Sequence, residues 1–463
     1  MPYYLLLGGG TVVIAFLAFL IWRRTKSLAI LTGLAMMYYW SLFGAWSIVS
    51  DRLAGVGGKS YGYLEEKLFP VNLDGSYFSA LILYVGFILV IEVCLLMRVR
   101  GRTSSGIHLK SPIRVNHVVL LGFGVVCGVV SYWLVRESLE TAEGLNLSGY
   151  AVTRGMLGEA VPFFTIHQLL NRGAFLSAAI GLAVAVSGRH PRVFVGQRNR
   201  IAMVGYTVLI GGLIWFALML GNKNELLFAG VVGMLLYEAN AQKKRLVGVL
   251  MAALVGVAIL RVIDTVRGLP LSAVAGALVD VEPSQWFDLA QLLFSSNEAY
   301  AAHFSLYGAL SLKVPLTYGQ SLISGMASIV PRAVWPDRPP DIYYYYAEQV
   351  GAAEGQGYTI HHAAGWYLNF GILGVAIGAL VWGYVWAACI SAPEKWSEQD
   401  SQFAGICRLI APTMFVASIP MLMRVGVEGY KGLLVEGLLI PTMILVCGSC
   451  RWGWPAGSAT SRA

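Results

Sequence analysis

Apolar stretches of about 20 residues recur along the whole chain, and each is long enough to cross a ~30 Å hydrocarbon core. They are read at 3–22, 28–50, 77–97, 116–136, 164–188, 201–220, 226–240, 246–262, 366–390, 405–423 and 433–450. That pattern predicts an all-α polytopic membrane protein with about 11 transmembrane helices. Only 13% of the 463 residues are charged, against about 25% in a soluble domain. A water-soluble enzyme, a secreted domain and a nucleic-acid-binding protein are thereby excluded.

The net charge of +8 is read by location. Arg23, Arg24 and Lys26 follow the first span, and Arg98, Arg100, Arg102, Lys110 and Arg114 follow the third with no acidic residue among them. Arg189, Arg192, Arg198 and Arg200 come next, then Lys243, Lys244 and Arg245. Every second loop is basic, while a loop such as 51–67 mixes both signs. By the positive-inside rule the basic loops face the cytoplasm, with the N-terminus periplasmic and the C-terminus cytoplasmic. No cation precedes the first span, so it is not expected to be a cleavable signal. The six cysteines lie in or beside apolar stretches, which gives no extracellular disulfide framework.

The chain divides into helices 1–8 over residues 1–262, a large periplasmic connection over 263–365, and helices 9–11 with a tail over 366–463. A structureless connection of about 100 residues is improbable in a compact protein. Within it Trp286–Phe294 and Tyr300–Leu310 are expected to be amphipathic helices lying on the membrane or on the bundle.

The most informative stretch is Ile329-Val-Pro-Arg-Ala-Val-Trp-Pro-Asp-Arg-Pro-Pro340. Four prolines in ten residues exclude a helix interior, so an ordered turn is expected to hold Arg332, Asp337 and Arg338 around Trp335. Paired guanidinium groups suit a phosphate or diphosphate. Tyr343, Tyr344, Tyr345 and Tyr346 follow, then Glu354, Tyr358, His361, His362 and Trp366. Trp335, Tyr343, Tyr344, Tyr358 and Trp366 are candidate sugar platforms, because flat rings with polar tips match the apolar faces of sugars. An interfacial aromatic belt is the competing reading of the same residues. Further cations are expected to share the outer side: Arg172, Lys223 in the turn Gly221-Asn-Lys-Asn-Glu225, and Arg424. No phosphate loop, dinucleotide fingerprint or zinc-protease motif occurs, and neither a metal nor a cofactor is expected.

The Pro-Arg-x-x-Trp-Pro-Asp-Arg-Pro run at 331–339 resembles the bacterial Wzy-type O-antigen and exopolysaccharide repeat-unit polymerases, as does Trp366-Tyr-Leu-Asn-Phe-Gly-Ile-Leu-Gly374. The 221–225 turn is similar to the family's Gly-Asn-Arg turn, with Lys223 in place of Arg. The resemblance implies a membrane-embedded GT-C-like glycosyltransferase of the bacterial inner membrane. It would transfer a polyprenyl-diphosphate-linked oligosaccharide en bloc to a newly arrived lipid-linked repeat at the outer face. A flippase and a chain-length regulator are the protein partners it suggests. On that reading Arg332, Arg338, Lys223, Arg424 and Arg172 bind the diphosphate and stabilise its developing charge. His361 or His362, with Asp337 or Glu354 as substitutes, takes the acceptor proton. The alternatives are an O-antigen ligase and, in a different class, a flippase or exporter of lipid-linked oligosaccharide.

Overall fold

The structure is a computed structural model. It describes residues 1–55, 72–99, 113–140, 164–187, 193–196, 200–220, 224–241, 298–327, 342–351, 359–395 and 401–449, with scattered positions between 255 and 279 and at 330 and 335. Among the described residues, nine helices are long and apolar enough to cross a membrane, from Pro2–Thr25 to Gly426–Ser449. They coincide with nine of the eleven stretches read above. Asn224–Asn240 is helical but only 17 residues long, about 25 Å. The stretch 246–262 lies almost entirely outside the described residues. One departure from an all-α chain is a pair of parallel three-residue strands, Ile113–Val115 and Phe194–Gly196. Asn240 pins it by accepting from the Val193 and Phe194 amides at 3.0 and 2.8 Å.

The helix ends alternate as the loop charges anticipate. Tyr3 donates to the Asp74 carbonyl at 3.0 Å, which puts Pro2 beside Gly75 at one end of the bundle. At the opposite end Arg24 donates to the Leu96 carbonyl at 2.6 Å, and the Arg98 guanidinium lies 4.3 Å above the Tyr384 ring. Asn116 and Gly448 meet there too. The basic residues after the first and third spans therefore share an end.

Lipid gives helices no hydrophobic reason to associate, so close packing of small residues against large ones does that work. Gly33 faces Trp386 and Ile419, and Gly383 faces Cys94 and the Ile91 carbonyl. Trp386 stacks on Phe415 at 5.4 Å, while Trp382 meets Phe87 and Phe415 edge-on. These rings form the mid-depth core, since Phe87 is central in Gly75–Arg98.

Two elements behave otherwise than the sequence pattern suggests. Glu298–Ser311 does not lie on a surface. Tyr300, Ala301, Ala302, His303, Phe304, Ser305, Leu306 and Tyr307 are all buried, so the helix is inserted among the spans. Its polar groups find partners there. The span Leu28–Leu53 contains a π-helical turn at Tyr39–Phe43, and the Ser41 carbonyl accepts from His303 Nδ1 at 2.7 Å. Tyr77 donates to the other His303 nitrogen at 3.0 Å.

The helix His362–Ser391 is the second. Non-helical angles at Phe370 and Gly371 interrupt it, and the chain reverses there. In a straight helix His362 and Trp382 would stand about 30 Å apart, yet their rings meet with centroids 4.6 Å apart. Trp366 likewise packs onto Gly378, where any side chain would enter its indole. Residues 362–369 are thus a half-helix folded back along 374–382. Gly371 takes φ 64° and ψ −146° at the reversal, a region essentially reserved for glycine. The Leu368 carbonyl released by the break accepts from the Thr317 amide at 2.7 Å. Asn369, fully buried, is held by Ser321, Thr317 and the Gly365 carbonyl.

Candidate functional site

The reversal puts the start of the half-helix deep in the protein. The His362 ring reaches Phe87 at 6.2 Å, and Phe87 lies about 18 Å along its helix from Gly75. Against this start lies the junction 424–430. Gly365 lies so close to Gly426 and Val427 that a Cβ on it would meet their backbone. Ile360 pairs with Val425, its amide donating to the Arg424 carbonyl at 3.0 Å. The junction is therefore a floor lying well below the Gly75 end.

Four other elements converge on that floor. Arg424 Nη1 donates to Asn224 Oδ1 at 3.1 Å, docking the start of Asn224–Asn240. This accounts for the short helix, which ends at the floor and not at the Gly75 end. Glu428 accepts from the Ile342 amide at 2.6 Å, capping the tyrosine-bearing helix Ile342–Gln349. Gly325 of Gln320–Ala327 packs on the same glutamate. The two described helices flanking residues 328–341 thus rest on one junction. The fourth contributor is Phe164–Val186, through Arg172.

Arg172 departs from its expected role. Its Nε and Nη2 bind both oxygens of Glu225 at 2.5 and 2.9 Å, and its Nη1 pairs with Glu436. Every face of the guanidinium suited to a diphosphate is already bound to carboxylate. Two carboxylates on one guanidinium leave a formal charge of −1. Nor does Arg172 sit at the end of its span, since it lies about 12 Å along the helix from Phe164. Glu436 lies beside the level of Ser418, which its neighbour Gly437 touches. That is within about one turn of Phe415 and the mid-depth core.

The histidines are also corrected. His361 is fully buried and caps the half-helix, its Nδ1 accepting from the Ala363 amide at 3.0 Å. The proton therefore sits on Nε2, 3.0 Å from Ser41 Oγ. Burial and the neighbouring His362 and His303 rings hold the His361 imidazole well below its usual range. His362 Nδ1 donates to the Gly426 carbonyl at 2.7 Å, while Trp366 and Tyr430 approach its Nε2 at 3.1 and 3.2 Å. Neither ring keeps a lone pair open to an acceptor hydroxyl, so neither has the geometry of a general base. Both fasten the half-helix to the floor.

Of the aromatic candidates, Trp366 is core, buried between His362 and Gly378. Tyr344 is 51% exposed, Trp335 is 44% exposed and Tyr343 is half-buried, which leaves these three available as platforms. Arg332, Asp337, Arg338, Lys223, Glu354 and Tyr358 lie outside the described residues. Two residues of consequence were not singled out from the sequence: Glu436 and His303. The available signal for Glu436 was a lone carboxylate inside an apolar span, which is seldom placed without purpose. Comparison of the chain with protein families, with characterised proteins and with solved structures finds no match.

Proposed function

We propose that this chain is a Wzy-type polymerase. It lengthens a polyprenyl-diphosphate-linked glycan by en bloc transfer onto a lipid-linked repeat, with the Gly75 end facing the outside of the inner membrane. One observation carries the reading. Asn224, the helices on either side of residues 328–341 and the half-helix that begins 366–374 all contact the 424–430 junction, and the stretches that carry the family resemblance include or adjoin these residues.

The chemistry asked of such a site is modest. The donor is already activated, and its leaving group is a diphosphate whose charge grows as the glycosidic C–O bond breaks. A cation held in a low-dielectric site lowers that barrier, by about 3–4 kcal/mol for one well-placed donor. Arg424 is the described candidate, and Arg332, Arg338 and Lys223 are the proposed contributors from the neighbouring stretches. Tyr344, Tyr343 and Trp335 would hold sugar rings by their faces.

A second reading, a flippase for lipid-linked oligosaccharide, draws on one observation. Charged groups do stand near mid-depth: the Arg172–Glu225–Glu436 triad, and Glu92, fully buried with neither oxygen partnered among the described residues. Transporters place ionisable residues there. The surface-glycan profile of a gene-deletion strain separates the readings. Single-repeat glycans are the polymerase outcome, undecorated lipid A is the ligase outcome, and lipid-linked repeats stranded on the cytoplasmic leaflet are the flippase outcome.

A further inference from the structure

The short helix Gln320–Ala327 is built inside out. The side turned into the protein carries Ser321, Ser324, Gly325 and Ala327, all buried. The opposite side carries Ile323 and Met326, 60% and 66% exposed. A helix resting on a protein in water buries its apolar stripe and shows its polar one. This one keeps its serines inside, where Ser321 donates to Asn369 at 2.9 Å and Ser324 to the Gln320 carbonyl at 2.9 Å. We infer that the Ile323–Met326 face, together with the reversal at 370–373, is immersed in bilayer hydrocarbon on the Gly75 side. Part of the stretch expected to be a periplasmic connection is then a re-entrant membrane element. Immersion of this face does not depend on the polymerase reading.

Depth is the first support. From Gly371 to Ser391 the helix rises about 30 Å, which matches the hydrocarbon core. Tyr384 meets Arg98 toward the far end, so the reversal stands at the edge of that core on the Gly75 side. Gly319 touches Phe370 beside the reversal, whereas Gly325 touches Glu428, in the junction that holds Gly365. The helix therefore descends along the half-helix. Gly365 precedes Gly371 by six positions, about 9 Å of helix, and Met326 lies roughly that far below the edge.

Continuity is the second. Leu373, Ile377, Leu380 and Tyr384 are all exposed, and their spacing makes one stripe along the span. An uncovered apolar stripe on a membrane span faces lipid. Its upper end is the reversal, where Ile372 and Phe370 are exposed as well and Phe370 meets Gly319. Tyr318 is 80% exposed at that turn with φ 47°, a backbone region uncommon for a residue with a side chain. A ring with a polar tip at the hydrocarbon edge occupies a belt position. The lipid-facing stripe thus continues without a break from the span onto Gln320–Ala327.

The test exposes full-length wild-type protein in phospholipid nanodiscs to hydroxyl radicals and reads methionine sulfoxide peptide by peptide. Met443, exposed on the span Gly426–Ser449, is the lipid-facing reference. Met326 should be protected at least tenfold against the same peptide free in solution, as Met443 is. Oxidation of Met326 within threefold of the free peptide overturns immersion. A second measurement identifies what protects it. Photoreactive p-benzoylphenylalanine replaces Ile323 in one variant and Leu380 in another, and both are irradiated in the same nanodiscs. Phospholipid adducts are expected at both positions. A crosslink from 323 to a second copy of the chain, or lipid adducts at 380 alone, overturns the proposal. The footprint uses unaltered protein, so it decides even where a substituted variant fails to fold.

Discussion

His361 Nε2 lies 3.0 Å from Ser41 Oγ across 320 positions of sequence. It joins the start of the half-helix to the π-helical turn at Tyr39–Phe43 in the middle of a membrane span. Ser41 also gives its carbonyl to His303. One residue of the second span therefore anchors both inserted elements, the buried helix and the hairpin.

Removing this anchor should cost stability before it costs chemistry. His361→Ala deletes the cap of the half-helix, leaves Ser41 without its donor and opens a cavity among Tyr84 and Phe87. A loss of about 3 kcal/mol is expected from these terms together. His361→Asn, which restores a capping oxygen, should recover part of it. Thermal unfolding of the detergent-solubilised variants measures both, and an unshifted Tm for His361→Ala would contradict the anchoring role.

Acid should loosen the same region. Burial lowers His303 to about 4, and it lowers His361 as well. Both are neutral when folded, whereas the unfolded chain binds protons below about pH 6.5. Their contribution is thus complete above that value and is lost as pH falls toward 4, at about 1.4 kcal/mol per unit per histidine. The Tm should be flat from pH 8 to 7 and decline steeply below 6. His303→Phe should flatten part of that decline, and a profile unchanged by this substitution would count against the assignment.

Gly371→Ala tests the reversal. With φ at 64° and ψ at −146°, alanine is strained by roughly 1–3 kcal/mol. The hairpin should open enough to separate Trp366 from Gly378. Tryptophan fluorescence of the folded variant should shift, while Gly86→Ala, which faces open space on another helix, should leave it unchanged.

Arg172→Ala separates two roles for one cation. If Arg172 bound the lipid diphosphate, its loss would weaken donor binding in a stable protein. Because it is committed to Glu225 and Glu436, the structure predicts instead a destabilisation of about 3–5 kcal/mol from carboxylates left unpaired. The double change Arg172→Leu with Glu225→Gln should be less damaging than Arg172→Ala alone. A Tm comparison of the two decides it.

Hydropathy summed over a span is a local property, and the membrane helices were legible for that reason. What the sequence concealed depends on distant partners. Phe370-Gly371 continues an apolar run without any loss of hydropathy, so 366–390 reads as the start of one span. Only the reserved backbone region at Gly371 and the packing of Trp366 on Gly378 reveal the fold-back. Tyr300–Leu310 reads as amphipathic because His303 and Ser305 look solvent-seeking. Their partners are Ser41, Tyr77 and the His361 amide, all remote in sequence. Arg172 looked like a free cation because Glu225 is 53 positions away. Arg424 and the 221–225 turn are expected on one side from the loop charges, and the structure shows Arg424 bonded to Asn224.

The most direct measurement of the central claim is the chain-length distribution made by purified protein in nanodiscs from lipid-linked repeat units. Wild type should produce a ladder of multiples. Arg424→Ala should leave the input repeat largely unextended, a loss of about 10²–10³-fold in turnover, with Arg424→Lys intermediate and the Tm of both near wild type. A ladder of wild-type length and rate from Arg424→Ala would contradict the claim that Arg424 acts by stabilising the departing diphosphate.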